Sequence, residues 1–364
     1  MTAHAGTRSL RRLLPPLLAA IVAGVVVAGV SLALNSSSSS TTQSNATTAA
    51  GPSNTTAVSV SSGASGALGL QEAMVGVVQS VSPSVVQIED RQGLGSGIVL
   101  DTAGDIVTNN HVVTGASSFT VTTASGKRYA GKLVGSFPPD DLAVIKVSGA
   151  SLKPATFADS SKLAVGDLAI AIGNPLGLQS SVTEGIVSAF RQAVQEEGNV
   201  TLPSVIQTSA AINPGNSGGA LVDIEGRVIG IPTLAATDPQ LGGGSAPGIG
   251  FAIPSNLVKD IAGQIVANGK VVNSHRAFLG IGVGETNGNG VLVGSVTASG
   301  AAANAGVKAG DVIVSVDGTP TSTTAALSAL LATLKPGQKV SVVVKHQNGA
   351  KSTVQVTLGT YPGS

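Results

Sequence analysis

Residues 210–223 read "AAINPGNSGGALVD", which sets Ser217 among three glycines and a proline. Glycine loses more backbone freedom on folding than any other residue, so a loop of this composition needs a reason. One reading is a surface turn in a chain that holds 48 glycines. The other is a nucleophile whose neighbours offer bare backbone N–H groups to a substrate. The rest of the chain decides between them.

Around this loop the pattern is β. From Val85 to Pro254, short β-branched runs such as "GSGIVL", "DIVTNNHVV", "LAVIKV", "LAIAIG" and "RVIGI" alternate with turns, Ser125-Gly126 and Glu225-Gly226 among them. Many short strands at regular spacing predict a sandwich or barrel rather than βαβ units. Residues 255–269 read as a helix. A second unit starts near Arg276. It carries strands, a helix over 323–334 with Leu327, Leu330, Leu331 and Leu334 on one face, and a closing hairpin about Asn348-Gly349. That predicts a small α+β domain.

Upstream, Leu13–Leu34 is a run without charge, preceded by Arg8, Arg11 and Arg12. Such a run is long enough to cross a bilayer core of about 30 Å, and the arginines keep residues 1–12 cytoplasmic. A retained anchor is the reading taken. A signal peptide cleaved after "SLA" at 31–33 is its competitor. Residues 35–69 are Ser, Thr, Ala, Gly and Asn with few large apolar side chains, the composition of a disordered tether. Leu70, Met74, Val77, Val78 and Val81 then recur at helical spacing up to Pro83.

Composition excludes several chemistries. The net charge is +1 and no long basic run occurs, so nucleic acid is not an expected partner. The chain has no cysteine, which removes a thiol nucleophile, a thiolate metal site and disulfides. A serine nucleophile needs a base, usually a histidine oriented by a carboxylate. Of the four histidines, His4 is on the cytoplasmic side, and His275 and His346 belong to the linker and second unit. His111, just past a strand, is left. An acid between it and Ser217 is expected, and the candidates are Asp140, Asp141, Asp159 and Asp167. In "PPDDLAVIKV" Asp141 abuts the apolar run and can be partly enclosed, whereas Asp140 should point the other way; Asp159 and Asp167 read as turn residues. An oxyanion hole from the N–H groups of Gly215 and Ser217 explains the glycines, since side chains there would obstruct the carbonyl.

The blocks "TNNHVV", "DLAVIK", "IGNPLGL", "GIVSA", "QTSAAINPGNSGGAL" and "GIGFAIP", in this order, resemble the HtrA/Deg family of trypsin-like serine proteases. The resemblance implies a mainly β fold. A two-barrel chymotrypsin-like protease domain (70–272) is followed by a small α+β PDZ domain (276–360), with a transmembrane helix (13–34) and a disordered linker ahead of both. It implies the triad His111, Asp141 and Ser217, regulation by loop rearrangement, and a homotrimer or a multiple of one. The family has an acid after "QT" where this chain has Ser209, which puts in question how the active loop is held. The residue six before the nucleophile, Ala211, would lie at the base of the substrate pocket, with Ile212, Gly250 and Phe251 as apolar walls. An uncompensated charge would be costly there, so cleavage after small or medium aliphatic residues is expected.

"RAFLGIGVGE" and "SGAAANAGVKAGDVIVSVDG" are similar to a PDZ domain. This implies a loop at Phe278, Leu279, Gly280 and Ile281 that takes a C-terminal carboxylate through backbone N–H groups, the peptide adding as a strand. Phe278 stands where the family often has tyrosine. Altogether the expectation is an anchored extracytoplasmic endopeptidase that acts on misfolded polypeptides without metal or cofactor. Its rivals are a protease-like scaffold that holds unfolded chains without cutting, and an enzyme that processes one signalling protein.

Overall fold

The computed structural model describes residues 61–363 except 92, 175–180, 196–199, 214, 239–243 and 287. The expected cytoplasmic tail, membrane span 13–34 and most of the tether lie outside the described residues. Among the described residues no helix is long and apolar enough to cross a membrane.

The first element differs from expectation at its start. Helix α1 spans Ser61–Val81, so it takes in residues 61–69, the last stretch assigned to the tether. Only its far end is anchored: Val77 and Val81 are buried and Met74 and Val78 pack beside them, while Leu68 and Leu70 are exposed. Once that end is nucleated, each further residue adds one backbone hydrogen bond, which extends a helix past the exposed Leu68 and Leu70.

Six strands follow: β1 (Val85–Glu89), β2 (Leu94–Val99), β3 (Asp105–Asn109), β4 (Ser118–Thr122), β5 (Arg128–Phe137) and β6 (Leu142–Val147), with a one-turn helix α2 (Asn110–Val113) after β3. They form a closed barrel in the order β1-β2-β3-β6-β5-β4. A second closed barrel contains β7 (Leu168–Gly173), β8 (Ser181–Gln195), β9 (Thr201–Thr208), β10 (Ala220–Val222), β11 (Val228–Asp238) and β12 (Gly244–Pro254), in the order β10-β11-β12-β9-β8-β7. Closure leaves neither sheet with a free edge. Because aromatic residues are scarce, Val, Ile, Leu and Ala fill most of both barrels, with Phe119, Phe137 and Phe251 among them. One core of Val85, Ile98, Leu142, Ile170, Ile172, Val222 and Ile231 runs from barrel to barrel. Helix α3 (Ser255–Asn268) adds Val258, Ile261 and Ile265 to it and ends at Gly269.

The second unit has its own core, in which Leu279, Val291, Ile313, Val342, Val344 and Leu327 meet. Its elements are β13 (Ala277–Phe278), β14 (Ile281–Glu285), β15 (Val291–Val296), α4 (Ala301–Asn304), β16 (Val312–Val316), β17 (Thr319–Pro320), α5 (Thr324–Ala332), β18 (Lys339–Lys345), β19 (Lys351–Thr357) and β20 (Gly359–Thr360). The main sheet runs β14-β15-β16-β18-β19. The expected turn at Asn348-Gly349 joins β18 to β19, with Gly349 at φ +83°. His346 fixes this hairpin to the preceding turn: its Nδ1 lies 2.8 Å from Asp311 Oδ1 and its Nε2 2.8 Å from Ser352 Oγ.

Candidate active site between the two barrels

The first barrel supplies two of the expected residues through strand register. Asn109 of β3 pairs with Leu142 of β6, so the residues just beyond them are neighbours. A 3₁₀ turn over Pro138–Asp140 ends at Asp141, whose φ of 49° and ψ of 42° reverse the chain into β6. The Asp141 carbonyl is held by the Asn110 N–H at 3.0 Å and by Asn109 Nδ2 at 3.0 Å. Its carboxylate then faces α2. Oδ1 accepts the His111 backbone N–H at 2.9 Å, and Oδ2 lies 2.8 Å from His111 Nδ1. The acid is enclosed and the imidazole half exposed, with 3% and 48% of their side-chain surfaces accessible. With Nδ1 facing a carboxylate, the proton belongs on Nδ1 and the Nε2 lone pair is the basic one.

The second barrel supplies the serine. Ser217 lies in the loop between β9 and β10, and its hydroxyl donates to the carbonyl of Thr233 on β11 at 3.1 Å. The hydroxyl of the same Thr233 donates to Asp141 Oδ2 at 2.7 Å. One threonine thus touches both the serine and the acid, across the boundary between the barrels. Sequence reasoning missed it, because nothing in "GIPTLAA" distinguishes a threonine that reaches a carboxylate from one that fills a strand. In this arrangement the serine proton points at a carbonyl; a change of χ1 rotamer would redirect it. Hydrogen bonds of this kind are commonly loose before substrate arrives.

The glycines around Ser217 have distinct uses. Gly218 sits at φ +78°, and a Cβ there would come within 2.2 Å of the Ser96 carbonyl oxygen. Gly215 is buried at φ +105°, its carbonyl taken by Ser96 Oγ at 2.6 Å. Of the expected pocket residues, Ala211 is exposed and its carbonyl accepts Thr183 Oγ1 at 2.8 Å. Ile212 is buried and fills the space a side chain at Gly250 would need: a Cβ there would meet Ile212 Cγ1 at 2.4 Å. Phe251 follows, nearly buried. Ser209 joins the β8–β9 ladder, its Oγ accepting the Ile186 N–H at 3.0 Å.

Asp140 departs from expectation. It does point away from Asp141, but it is no solvated turn acid: it is fully buried. The Arg276 guanidinium contacts its Oδ1 at 2.5 Å, the Pro139 carbonyl at 2.8 Å and the Thr201 carbonyl at 2.8 Å. Burial pushes the Asp140 carboxyl above its ordinary value, and the Arg276 charge pulls the other way. A lone arginine ahead of an apolar strand was the available signal; its partner lies 136 residues upstream.

Beyond Arg276, residues Phe278, Leu279, Gly280 and Ile281 line one wall of a groove of about 220 Å³, with Leu327, Ser328 and Leu331 of α5 opposite. Gly280 is at φ +74°. The Leu279 and Gly280 carbonyls are engaged by Ala302 and Thr297 N–H groups at 2.8 Å each. No described hydrogen bond uses the N–H of either residue.

Residues 95–231 match the trypsin-like peptidase domain, and residues 277–358 match the PDZ domain. The solved HtrA-type protease AlgW with tripeptide is 37% identical, with a TM-score of 0.55 over 79% of this chain and 96% of that one. The chain belongs to the HtrA/Deg family. Within it, the periplasmic pH-dependent serine endoprotease DegQ of Escherichia coli K12 is 41% identical over 75% of this chain and 61% of its own length. The serine protease PepD of Mycobacterium tuberculosis H37Rv is 41% identical over 78% of this chain and 65% of its own. The chain therefore spans about three fifths of these HtrA relatives.

Proposed function

We propose that this chain is a membrane-anchored, extracytoplasmic serine endopeptidase that acts on misfolded polypeptides. Ser217 Oγ attacks the scissile carbonyl and passes its proton to His111 Nε2, which Asp141 orients. The oxyanion forms against the N–H groups of Gly215 and Ser217. The leaving amine takes the proton from His111, and water releases the acyl-enzyme. The observation that supports this reading is the chain of hydrogen bonds Ser217–Thr233–Asp141–His111, which brings these side chains to one seam between the barrels. Ala211, Ile212, Gly250 and Phe251 form the apolar pocket for an aliphatic side chain.

The groove between β14 and α5 takes C-terminal peptides, their carboxylate on the Phe278–Ile281 loop. The N–H groups of Leu279 and Gly280 support that assignment, and an HtrA-type relative is solved with a tripeptide. The names of relatives such as DegQ, a periplasmic endoprotease, support an extracytoplasmic site of action. Residues 13–34 are the anchor, and a homotrimer or a multiple of it is the working assembly. The second reading, a scaffold that holds chains without cutting, draws on the direction of the Ser217 proton, which faces a carbonyl.

Labelling of residues 61–364 by a fluorophosphonate, with and without C-terminal peptides, separates the two readings. Labelling lost in both Ser217→Ala and His111→Ala supports the endopeptidase, and a rise with peptide makes the PDZ domain an activator. The Ser217→Ala control also distinguishes Ser352, whose hydroxyl meets His346. A folded protein that never labels would favour the non-cutting scaffold.

A further inference from the structure

We propose that Ser96, on β2 of the first barrel, is a positioning residue that holds the oxyanion loop of the second barrel in register; this rests on the reading of Ser217 as nucleophile. Ser96 is fully buried and makes four hydrogen bonds. Its Oγ donates to the Gly215 carbonyl at 2.6 Å and accepts the Asn174 N–H at 2.8 Å. Its backbone N–H donates to the Ser217 carbonyl at 3.0 Å, and its own carbonyl accepts Thr108 Oγ1 at 2.7 Å.

These bonds fall at the two places that define the oxyanion donors. Peptide units are planar, so each moves as a plate. The 215–216 plate is pinned at its oxygen by Ser96 Oγ and at its N–H by the Asn213 carbonyl at 3.0 Å. The 217–218 plate is pinned at its oxygen by the Ser96 N–H and at its N–H by the Pro232 carbonyl at 3.1 Å. Between them lies the 216–217 plate, which carries the N–H of Ser217. With both flanking plates fixed, the direction of that N–H is fixed, and Gly215 is tied on its carbonyl side.

The seat is shaped for this contact. Gly173 has no side chain where the Gly215 oxygen comes within 2.6 Å of a Cβ position, and Gly218 has none against the Ser96 carbonyl. Serine suits the position because one oxygen must both donate and accept. Alanine there would leave the Gly215 carbonyl and the Asn174 N–H buried and unpaired. The Asn174 side chain, almost fully buried, has no partner for either amide atom among the described residues, so Ser96 is what secures this corner to the loop.

Ser96→Ala separates positioning from mere stability when compared with Ser255→Ala. Ser255 is equally buried and its Oγ donates to the Ala158 carbonyl at 2.9 Å, away from Ser217. The readouts are the fluorophosphonate labelling rate at Ser217, the affinity of a peptide boronate and the KM for a peptide substrate, with melting temperature measured alongside. A small misplacement of a catalytic group costs up to about 100-fold. Ser96→Ala should therefore slow labelling and weaken boronate binding by about 10- to 100-fold, with KM changed by less than about threefold. Ser255→Ala should lower the melting temperature to a similar degree and leave the labelling rate unchanged. Ser96→Cys, close in size and a weaker donor, should fall between serine and alanine, and it serves if the alanine variant does not fold. Labelling of Ser96→Ala at the wild-type rate overturns the role of Ser96 alone. Wild-type protein that never labels at Ser217 overturns the nucleophile reading together with it.

Discussion

Gly218 has two reasons to be glycine: a φ of +78° and the absence of room for a Cβ 2.2 Å from the Ser96 oxygen and 2.4 Å from Thr108 Oγ1. Neither neighbour can move cheaply, because one is strand backbone and the other is tied to it. Gly218→Ala should therefore lift the loop off its seat and reduce fluorophosphonate labelling by about 100-fold or more, with an unchanged circular dichroism spectrum. Labelling within a few-fold of wild type would mean that the loop tolerates displacement. Thr233→Val is a milder probe. It removes the donor to Asp141 Oδ2 and keeps the carbonyl that accepts Ser217. A hydrogen bond to a charged acceptor contributes about 1.5–3 kcal/mol, so a labelling rate lower by about 10- to 100-fold is expected, and none of that loss should appear in KM. Legibility at this scale followed chemistry. His111 was singled out by elimination among four histidines and Asp141 by its contact with an apolar run, and the fold sets the two 2.8 Å apart. Ser96 and Thr233 stayed hidden because they act through backbone carbonyls and a carboxylate brought close only by folding; Gly215 is 119 residues from Ser96. Nothing in the residue type marks a serine or threonine for such a role.

At the scale of elements, the 3₁₀ turn 138–140 presents Asp141 to His111 on one side and buries Asp140 against Arg276 on the other. Arg276→Met would strand that carboxylate, and removing one partner of a buried pair costs about 3–5 kcal/mol. Replacing both residues, as Asp140→Leu with Arg276→Met, should recover most of the loss in urea denaturation. The pair also carries a pH signature. Burial raises the Asp140 carboxyl above its unfolded value of 3.8, so just above pH 3.8 the folded chain keeps a proton that the unfolded chain has released. Its contribution to stability therefore falls as pH rises through that window and is level above the folded value. Arg276→Met removes the opposing pull and widens the window upward. The difference in urea midpoint between wild type and variant should then grow from pH 4 to pH 7, and a constant difference would show that Asp140 titrates at its ordinary value. Elements with strong periodicity, such as α3, α5 and the hairpin at 348–349, were legible. The start of α1 was not, because Gly- and Ser-rich composition speaks for a tether while helix propagation from Val77 and Val81 depends on what those residues meet.

Across the whole molecule, the two cores are joined by α5, which packs on β8 and β9, by Arg276 and by Tyr361. Its side chain packs with the barrel core. The ring stands edge-to-face to Phe137 of β5 at 6.2 Å and to Phe278 of β13 at 5.0 Å. Its N–H donates to the Arg276 carbonyl at 2.8 Å, so the aromatic bridge and the partly buried arginine meet at one point of the backbone. From there the backbone continues into the Phe278–Ile281 wall of the groove. Arg276 to Phe278, three residues of chain, thus lie between the groove wall on one side and Phe137 and the Asp140–Asp141 turn on the other. Each edge-to-face pair contributes about 0.5–1.5 kcal/mol beyond burial, which adds to what couples two cores that could otherwise unfold apart. Tyr361→Ala should split the calorimetric transition, the PDZ unit melting separately from the barrels. Tyr361→Phe keeps the ring and the backbone bonds, and should retain the wild-type profile. A single transition in Tyr361→Ala, at the wild-type ratio of calorimetric to van't Hoff enthalpy, would assign the coupling to Arg276 and to the packing of α5 on β8 and β9 instead.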